Sequence, residues 1–495
     1  MEKKEQYILF GIVLVTLAIR LILAFSLPNL THDSYFHLRQ VEHIRETGIP
    51  LYNDPLSYGG RTLHFLPLFH YLAAGLSFLL PLSIIVKLIP NLLLSSIPFL
   101  VYAIARRITT DSPASLLAAF VSAFLPILYN TNAFIPETLF LPLTFLTLYC
   151  FLHLQYKKYQ YLYILSFLLL SITSPATVFL LIGFGIYFLL TLIERKKPDR
   201  AELELIAFSL FFFLWTQFIF FKENFLSQGI SFIWRNIPPQ IIYDYLPKIS
   251  LPEAIVLVSM IPFMAGVYVA YRALFQLKNE KAFLLISFVI STTLLTWSRL
   301  ISFQFSLTFF SIILAILFAT FYHDGIIFLK KTKAPWLHKY LALALVLFLI
   351  PTTVLPALNT ALTQSTPSNT EIAAFTWLET NTAEDALIAA PVEEGHLITY
   401  FSQRKNVMDN NFALIDNAEE RFTDLSNLYK TKFQTEAISL FTKYNIQYII
   451  MTPLASQQYT IGRLQYITPD CFELVYKKEI RIYKTKCTLR ANQAE

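Results

Sequence analysis

Long apolar runs separated by short polar segments fill most of the chain up to about residue 358. An α-helix needs roughly 20 apolar residues to cross a bilayer, and the runs have about that length. The pattern therefore predicts about eleven membrane-spanning helices. Their approximate bounds are 7–27, 84–105, 114–130, 137–154, 159–174, 176–193, 203–221, 253–275, 282–298, 300–322 and 339–357.

Basic clusters between these runs predict the topology. The clusters are Arg106-Arg107, Lys157-Lys158, Arg195-Lys196-Lys197, Lys278 with Lys281, and Lys330-Lys331 with Lys333. Cytoplasmic loops are enriched in Lys and Arg, and every cluster lies on that side if the N-terminus is cytoplasmic. This holds only if the apolar stretch 63–80 does not cross, so we predict an interfacial or re-entrant segment there. The segments 28–83, 222–252 and everything after about residue 358 then lie outside the cytoplasm.

The composition changes after the last apolar run. A polar linker, 359–370, separates a predicted transmembrane domain, 1–358, from a C-terminal domain, 371–495. The domain has the mixed periodicity of an α/β fold and a normal domain size. We predict helices at 371–381 and 433–444, and strands at 386–390 and 448–452.

The C-terminal domain ends in a predicted β-hairpin formed by 472–476 and 480–484. If the turn is centred on Glu479, Cys471 and Cys487 face each other and could form a disulfide. Two free thiols at a frayed terminus are the alternative. The third cysteine, Cys150, lies in an apolar run and is predicted to be a small buried hydrophobic residue.

Composition narrows the class of protein. Of the 495 residues, 55% are hydrophobic and only 15% are charged, whereas a soluble globular protein carries about a quarter charged residues. The net charge of +6 lies in clusters between apolar runs, which indicates topology signals and not a nucleic-acid surface. A multi-pass protein of the cell membrane is therefore predicted. The absence of a visible internal repeat argues against a transporter.

Asp33 is the strongest candidate for chemistry, because a carboxylate between His32 and His37 just outside a membrane span is placed to meet a metal ion or a lipid headgroup. The alternative is that Asp33 caps the helix that begins at Ser34. Glu137 opens a later span on the same side. Together, Asp33 and Glu137 could hold a divalent cation against a phosphate. The alternative for Glu137 is a favourable interaction with the helix macrodipole.

Further polar residues of the first outer loop have simpler interpretations. Helical spacing suggests that Arg39, Glu42, Arg45 and Glu46 pair with one another on a solvated face. His64 lies where a lipid phosphate could be met, although an interfacial histidine with satisfied hydrogen bonds is the simpler interpretation.

Several segments resemble the catalytic subunits of oligosaccharyltransferases, which are glycosyltransferases of the GT-C class. The resemblance rests on segments at both ends of the chain, in the order found in the family. They are Asp33-Ser34-Tyr35-Phe36-His37-Leu38-Arg39 with Glu42, Asp54-Pro55, Pro67-Leu68-Phe69, Gly395-His396-Leu397-Ile398-Thr399-Tyr400-Phe401, Asp409-Asn410-Asn411-Phe412 and Tyr444-Asn445-Ile446-Gln447-Tyr448-Ile449-Ile450.

The resemblance implies roles for individual residues. Asp33 matches the family acid that binds the metal and contacts the acceptor, and Glu137 matches the surviving acid of the second loop. Ser250-Leu251-Pro252-Glu253 matches a loose Ser/Thr-x-x-Glu pattern whose Glu positions the acceptor amide, although Ser250 is equally a candidate N-cap. Arg299 matches an arginine that reads the acceptor, and a snorkelling interfacial arginine is the alternative.

One departure from the family concerns the acceptor. The family motif Trp-Trp-Asp-Tyr-Gly, which recognises the hydroxyl residue of an Asn-x-Ser/Thr acceptor, aligns with Pro391-Val392-Glu393-Glu394-Gly395. Both indole groups are missing, so recognition of that hydroxyl is in doubt.

The resemblance implies a membrane all-α GT-C bundle with an extracytoplasmic α/β domain. The expected activity is transfer of a sugar or oligosaccharide from a polyprenyl-phosphate-linked donor to an extracytoplasmic acceptor, protein Asn first, with Mn²⁺ or Mg²⁺ as cofactor. Single-sugar transfer to a lipid, glycan or hydroxyl group is the second choice, and a non-catalytic relative or transporter is the third.

Expected partners are the donor, the acceptor polypeptide or glycan, and membrane lipids, but not nucleic acid. Asp33 and Glu253 are the predicted catalytic residues. The predicted substrate-binding residues are His32, His37, His64, Arg299, Glu393 and Glu394.

Overall fold

The computed structural model describes residues 3–195, 199–229, 249–277, 280–412, 415 and 417–488. Contacts between Cα atoms divide the chain into two compact units. The membrane unit holds residues up to 28, 65–227 and, among the described residues, 249–364. Among the described residues, the α/β unit holds 29–64, 228–229, 365–412, 415 and 417–488. Residues 29–64 of the first outer loop therefore belong to the same unit as the C-terminal residues, although the sequence places them in the first predicted domain.

The membrane unit is almost entirely helical. Its helices are Lys3–Ser26, Leu68–Leu76, Leu82–Ser95, Ile97–Thr109, Ser112–Ala123, Glu137–Phe151, Lys157–Thr173, Val178–Ile193, Arg200–Gln228, Leu251–Val258, Met260–Arg272, Glu280–Trp297, Phe303–Lys330, Leu337–Leu349 and Leu355–Leu362. Tighter or wider turns lie beside several of them, at Pro126–Leu128, Pro175–Thr177, Ala273–Leu277 and Ile350–Val354.

Every predicted apolar run is helical, but not every helix has the length of a membrane span. Within the described part of the chain, six helices are long and apolar enough to cross a bilayer, and the number is seven if one bent pair counts as a span. The other predicted runs form shorter helices, such as Ser112–Ala123 and Glu137–Phe151. The prediction of a helical multi-pass membrane bundle is confirmed. The number of about eleven spans exceeds what helix length and composition support.

The bent pair corresponds to the predicted span 253–275. Leu251–Val258 and the following helix meet at an angle of 91°. Ser259 lies at the break with φ of 75°, a value that only a few per cent of non-glycine residues adopt. Its hydroxyl is 2.5 Å from that of Thr353, so the polar groups at the break have a partner inside the unit. A broken helix in place of a straight span is the correction here.

The apolar stretch 63–80 contains only one short helix, Leu68–Leu76. At 1.5 Å per residue its nine residues rise by about 14 Å, less than half of a hydrocarbon core. This length agrees with a segment that does not cross. The assignment of its ends and of the chain termini to one side of the membrane stays a prediction, and most of the predicted outer loop 222–252 lies outside the described residues.

Close helix packing in the membrane unit depends on small residues. A Cβ atom added at Gly183 would lie 2.0 Å from the ring of Phe288, and one at Gly266 would lie 2.6 Å from a methyl group of Leu314. These glycines let Val178–Ile193 pack on Glu280–Trp297, and Met260–Arg272 pack on Phe303–Lys330. Small residues at helix contacts are typical of membrane bundles, because dispersion and not the hydrophobic effect holds helices together there. Cys150 is buried in this core as predicted.

The α/β unit is built on a five-stranded mixed sheet. Its strands are β3 (Leu387–Ala389), β4 (Lys405–Asn406), β5 (Tyr448–Met451), β6 (Phe472–Lys477) and β7 (Arg481–Thr485), in the spatial order β4-β3-β5-β7-β6. The first three are parallel, and β7 pairs antiparallel with both β5 and β6. A separate two-stranded ribbon in the first loop is formed by β1 (Asn53–Asp54) and β2 (Arg61–Thr62). Besides the short helical turns at Ser57–Gly59 and Val392–Ser402, the helices are Ser34–Thr47, Asn369–Asn381, Ala418–Lys430, Gln434–Tyr444 and Pro453–Tyr459.

The predicted α/β fold class is confirmed, and the predicted elements lie close to the observed ones. Helix Asn369–Asn381 begins two residues before the prediction, because Ser368 and Glu371 form a capping box there. Strand β3 is shorter than predicted, and β5 has almost the predicted bounds.

The terminal hairpin and its disulfide are also observed. Close to the turn, Lys477 faces Arg481 and Tyr476 faces Ile482, which is the predicted register. A bulge between Leu474 and Tyr476 then shifts the pairing by one residue, a change that spacing alone does not reveal. The Cys471–Cys487 disulfide is nevertheless formed, with a Cα–Cα distance of 4.9 Å. Its presence agrees with an oxidising compartment.

Candidate active site

Asp33 lies immediately before helix Ser34–Thr47, in the α/β unit, with its side chain exposed. The preceding backbone forms a turn in which Ser34 N–H donates to the Thr31 carbonyl at 3.0 Å. The Asp33 side chain makes no capping hydrogen bond to this helix. The capping alternative is therefore wrong, and the carboxylate is directed to other partners.

The partner of Asp33 is Asn410, far along the chain but in the same unit. The Asn410 side-chain amide donates to Asp33 Oδ1. The amide oxygen of Asn410 lies 2.7 Å from Nε2 of His396, whose side chain is only 4% exposed. An exposed carboxylate is thus attached through one amide to a buried imidazole.

Behind His396 lies Asp409, which is completely buried. Asp409 Oδ2 accepts from the Ser57 hydroxyl at 2.7 Å and from the Asn406 amide at 3.1 Å, and Oδ1 accepts from the Asn411 backbone N–H at 3.0 Å. Two positive or polar groups lie slightly further away, Arg61 Nη2 at 3.7 Å and His396 Nδ1 at 4.0 Å.

The environment of Asp409 keeps it ionised. Burial alone would raise its pKa, but His396, Arg61 and the hydrogen bonds from Ser57 and Asn406 outweigh burial and lower the pKa below its ordinary value. The buried anion is therefore part of the folded structure at neutral pH.

Gly395 allows this cluster to pack. A Cβ atom at Gly395 would lie 2.4 Å from the Met408 carbonyl oxygen and 2.7 Å from Asp409 Cα. Both neighbours are backbone atoms and cannot swing away. Only glycine lets the turn that carries His396 approach the segment 408–410 this closely.

Helix Ser34–Thr47 is held against the same region by aromatic rings and one hydrogen bond. The ring of Tyr35 lies 5.3 Å from that of Tyr400 and 4.9 Å from that of Phe401, and Phe36 lies 5.3 Å from His396. The Tyr400 hydroxyl donates to Glu42 Oε1 at 2.9 Å. Burial raises the pKa of Glu42, and this hydrogen bond opposes the rise.

The expected pairing of charges along this helix is wrong for two of its members. Arg39 does not pair within the helix but forms a bidentate ion pair with Asp54, at 2.6 and 3.0 Å. Asp54 also accepts from the backbone N–H groups of Leu56 and Ser57. Glu42 binds Tyr400, as described above. The helix is thus fixed by contacts across the unit and not by its own solvated face.

Three predicted histidines lie in the α/β unit. His32 is half-buried, and burial lowers its pKa although Glu371 and Asp33 act in the opposite direction. The ring of His37 lies 5.1 Å from that of Phe36. His64 is half-buried and, like His37, has partners of its own. Of these residues, His32 and His37 accompany Asp33 at the start of the helix.

The predicted acids Glu393 and Glu394 differ in exposure. Glu394 is 0% exposed, and neither of its carboxyl oxygens makes a hydrogen bond of good geometry. Glu393 is half-buried and accepts from the Gln458 amide at 3.2 Å. Burial raises the pKa of both, most strongly for Glu394, where the Thr452 hydroxyl compensates only in part.

The remaining predicted residues lie in the membrane unit. Glu137 is exposed in the first turn of helix Glu137–Phe151. Glu253 completes a capping box with Ser250, so the N-cap alternative for Ser250 is realised. Arg299 follows helix Glu280–Trp297 with φ of 63°. The Arg299 N–H donates to the Thr296 carbonyl, and the Leu300 N–H donates to the Leu295 carbonyl. This is the pattern of a Schellman helix end, in which the position of Arg299 is usually occupied by glycine.

Sequence reasoning missed the supporting residues of Asp33. His396, Asp409 and Asn410 all lie in segments that carry the family resemblance, but no spacing rule connected them to a residue about 370 positions earlier. Ser57 and Arg61 were likewise given no role, because a two-residue strand leaves almost no periodic signal.

A divalent cation was predicted at Asp33 and Glu137. In the described parts of the chain, no three His, Cys, Asp or Glu side chains are grouped as a metal site. The exposed Asp33 carboxylate is a hard oxygen donor of the kind that Mn²⁺ and Mg²⁺ prefer, and one of its oxygens is oriented by an amide in the way that second-shell groups orient metal ligands. The chemistry of the donor fits such an ion.

Solved structures with a similar fold are membrane glycosyltransferases. The oligosaccharyltransferase AglB from Archaeoglobus fulgidus, solved with an inhibitory peptide and a dolichol-phosphate, superposes with a TM-score of 0.71 at 16% identity, over 91% of this chain and 70% of that chain. An oligosaccharyltransferase from Archaeoglobus fulgidus has also been solved with Zn and sulfate, and it superposes with a TM-score of 0.67 at 16% identity over 89% of this chain and 67% of that one. ArnT from Cupriavidus metallidurans, bound to undecaprenyl phosphate, gives 0.56 at 12% identity over 96% and 97% of the two chains.

These likenesses establish the fold of the chain as that of the GT-C membrane glycosyltransferases AglB and ArnT. No protein-family model matches the sequence, and no curated protein matches it. The resemblance to an oligosaccharyltransferase subunit, noted from short segments, is thus supported by the fold, at low sequence identity.

Proposed function

We propose that the protein is a multi-pass membrane glycosyltransferase that transfers a sugar or oligosaccharide from a polyprenyl-phosphate-linked donor to an acceptor outside the cytoplasm. The observation that carries the proposal is the exposed Asp33 carboxylate, held by Asn410 and His396 at the start of the first loop, within a fold shared with AglB and ArnT. The structures of those two proteins contain dolichol-phosphate and undecaprenyl phosphate, respectively, which supports a lipid-linked donor here.

In the proposed reaction, the bond between the anomeric carbon and the phosphate oxygen of the donor breaks, and a new bond forms to the acceptor atom. Asp33 orients the acceptor and takes up its proton, as a general base does. The polyprenyl phosphate or diphosphate leaves. A divalent cation held by Asp33 and Glu137 would supply neutralisation of the charge that develops on the departing phosphate. In this proposal Glu253 positions the acceptor, and His32, His37, His64, Arg299 and Glu393 contact substrate. Glu394, also predicted to contact substrate, is fully buried and has no role in the proposal.

Protein Asn is the first choice of acceptor, and single-sugar transfer to a lipid, glycan or hydroxyl group is the second. The second choice is favoured by the segment 391–395, where Pro391 and Val392 stand at the positions of the two indoles of the family motif. Both side chains are buried. Neither offers the flat indole surface that grips a hydroxyl residue in the resembled family.

The test is transfer by the purified protein in lipid nanodiscs. Dolichol- and undecaprenyl-linked saccharides are supplied with Asn-x-Thr peptides, free glycans or lipid acceptors, and products are identified by mass spectrometry with and without EDTA. Asp33→Ala should reduce transfer by about 100-fold or more, since removal of a general base costs 10² to 10⁴. Glu46→Gln, an exposed acid of the same helix, is the matched control and should retain activity. Unchanged transfer by Asp33→Ala would refute the assignment.

A further inference from the structure

We infer that Asp409, His396 and Asn410 form a positioning relay that fixes the orientation of the Asp33 carboxylate. The inference rests on the proposed function, because these residues act by orienting Asp33. None of the three needs to touch substrate. Each is therefore a positioning residue, and the order from the buried end is Asp409, His396, Asn410, Asp33.

The amide of Asn410 has a single permitted orientation. Its NH₂ group donates to Asp33 Oδ1 and its oxygen lies 2.7 Å from His396 Nε2. The opposite orientation would place the amide oxygen against a carboxylate oxygen, two acceptors in contact. Asp33 and His396 together therefore permit one orientation of Asn410.

The ring of His396 is fixed in its tautomer and in its position. An amide oxygen only accepts, so Nε2 of His396 must carry the hydrogen of this bond. The ring cannot easily turn away, because it is almost fully buried and lies 5.3 Å from the ring of Phe36. On its other side, Nδ1 lies 4.0 Å from Asp409 Oδ2, beyond hydrogen-bond distance, and this approach is attractive when Nδ1 also carries a hydrogen.

The buried anion Asp409 lies at the inner end of the relay. Asp409 accepts from the backbone N–H of Asn411 and from the side chains of Ser57 and Asn406. The bond to Asn411 fixes the turn that carries Asn410 between them. Asp409 thus holds the backbone on which the amide is mounted, and it lies beside the imidazole.

The consequence is preorganisation of an exposed carboxylate. An exposed Asp at a loop-to-helix junction samples several rotamers, and ordering it on substrate binding costs free energy. Asp33 has no capping bond to hold it, so the relay supplies the restraint. Groups that orient a ligand from behind typically change metal affinity by 10- to 100-fold.

The test uses Mn²⁺ as a probe of the Asp33 carboxylate, with binding to the full-length protein in nanodiscs measured by electron paramagnetic resonance. Asn410→Ala and His396→Phe should weaken Mn²⁺ binding about 10-fold or more. His396→Gln keeps a donor near the position of Nε2 and should retain the wild-type affinity, as should the neighbouring control Asn411→Ala. Thermal unfolding is recorded for every variant. Wild-type affinity in both Asn410→Ala and His396→Phe, or loss of affinity in His396→Gln equal to that in His396→Phe, would overturn the relay.

A second measurement separates failure of the relay from failure of the proposed function. If Asp33→Ala binds Mn²⁺ as tightly as wild type, or wild type does not bind it, the metal role of Asp33 fails. The relay is then judged by nitrogen NMR of the protein labelled with ¹⁵N-histidine. The His396 Nε2 signal should be that of a protonated nitrogen in a hydrogen bond, and it should shift in Asn410→Ala and not in Asn411→Ala. An identical His396 signal in Asn410→Ala and wild type would overturn the relay whatever the metal does.

Discussion

Arg20 in the membrane unit and Asp409 in the α/β unit are both buried charged residues, and the two units accommodate them differently. Arg20 is 2% exposed. Its Nε donates to Asn91 Oδ1 at 3.1 Å, its Nη1 donates to the Leu128 carbonyl at 2.8 Å, and its guanidinium lies 5.0 Å from the centre of the Tyr129 ring. These partners are neutral dipoles and a π-face.

Asp409 has neutral donors as well, but it also lies near the positive side chain of Arg61 and beside His396. A buried charge held by neutral groups ties helices together without depending on another charge. A buried charge that faces another charge makes each of them dependent on the other, because removal of one leaves the other desolvated and unpaired. In the proposed relay, loss of Asp409 is therefore expected to affect Asp33 as well as its own neighbours, whereas loss of Arg20 is expected to affect its neutral partners.

The largest expected effect follows from breaking the charge-dependent cluster. Asp409→Ala leaves Arg61 and His396 without their anion and empties the acceptor site of Ser57 and Asn406. We expect a loss of about 3–5 kcal/mol in the stability of the α/β unit, the usual result of removing one partner of a buried ionic group. Thermal unfolding and limited proteolysis measure it.

The control for this substitution is Asp409→Asn. Asparagine retains the shape of the side chain and one acceptor oxygen. The stability of Asp409→Asn should therefore lie between that of the wild type and that of Asp409→Ala. If both variants were as stable as the wild type, the stability of the cluster would not depend on the charge of Asp409. The contrast with Arg20 would then disappear.

The sequence predicted most of what local patterns determine. Apolar runs of membrane length became helices, and Ser250 with Glu253 formed the capping box that their spacing allowed. The disulfide that hairpin spacing predicted is also formed, although the bulge shifts the pairing by one residue before the cysteines are reached. In each case the deciding interaction lies within a few residues or across one turn, where sequence spacing and spatial distance are closely related.

The rest depended on contacts between distant segments. Asp33 is an exposed acid before the helix, but its alternative role as a cap was wrong, because its carboxylate accepts from the side-chain amide of Asn410 and not from the helix. Arg39 likewise bonds to Asp54 in place of its helical neighbours. The hairpin register shifted at a bulge that no residue type marks. Folding decides such pairings through burial of the whole unit, which a local pattern does not contain.

The second prediction tests the neutral side of the comparison. Arg20→Leu leaves the Asn91 side chain and the Leu128 carbonyl with one fewer donor each, but it leaves no buried charge. We expect a loss of about 1–3 kcal/mol, the cost of unsatisfied neutral polar groups, and therefore a smaller effect than that of Asp409→Ala. Thermal unfolding in the same nanodiscs compares the two variants. A larger loss for Arg20→Leu than for Asp409→Ala would reverse the comparison.

Glu394 sharpens the comparison further, because it is buried like Asp409 but has no positive neighbour among the residues that the structure describes. Burial raises its pKa well above the ordinary value, whereas the surroundings of Asp409 lower the pKa of that group. The two acids must therefore affect stability in opposite directions as pH changes. Asp409 contributes stability that is present above its unfolded pKa of about 3.9 and is lost as pH falls through its folded pKa.

For Glu394 the sign is reversed. Between its unfolded pKa of about 4.3 and its higher folded pKa, the folded protein binds more protons than the unfolded chain, so stability falls as pH rises. Across one pH unit inside that window the loss approaches about 1.4 kcal/mol. Glu394→Gln removes the titrating group and should make the unfolding temperature less dependent on pH between about pH 5 and 6. Glu384→Gln, at an exposed position of the same unit, should keep the wild-type dependence. If Glu394→Gln and wild type lose stability in parallel, Glu394 titrates like an ordinary exposed acid and its burial has no energetic consequence.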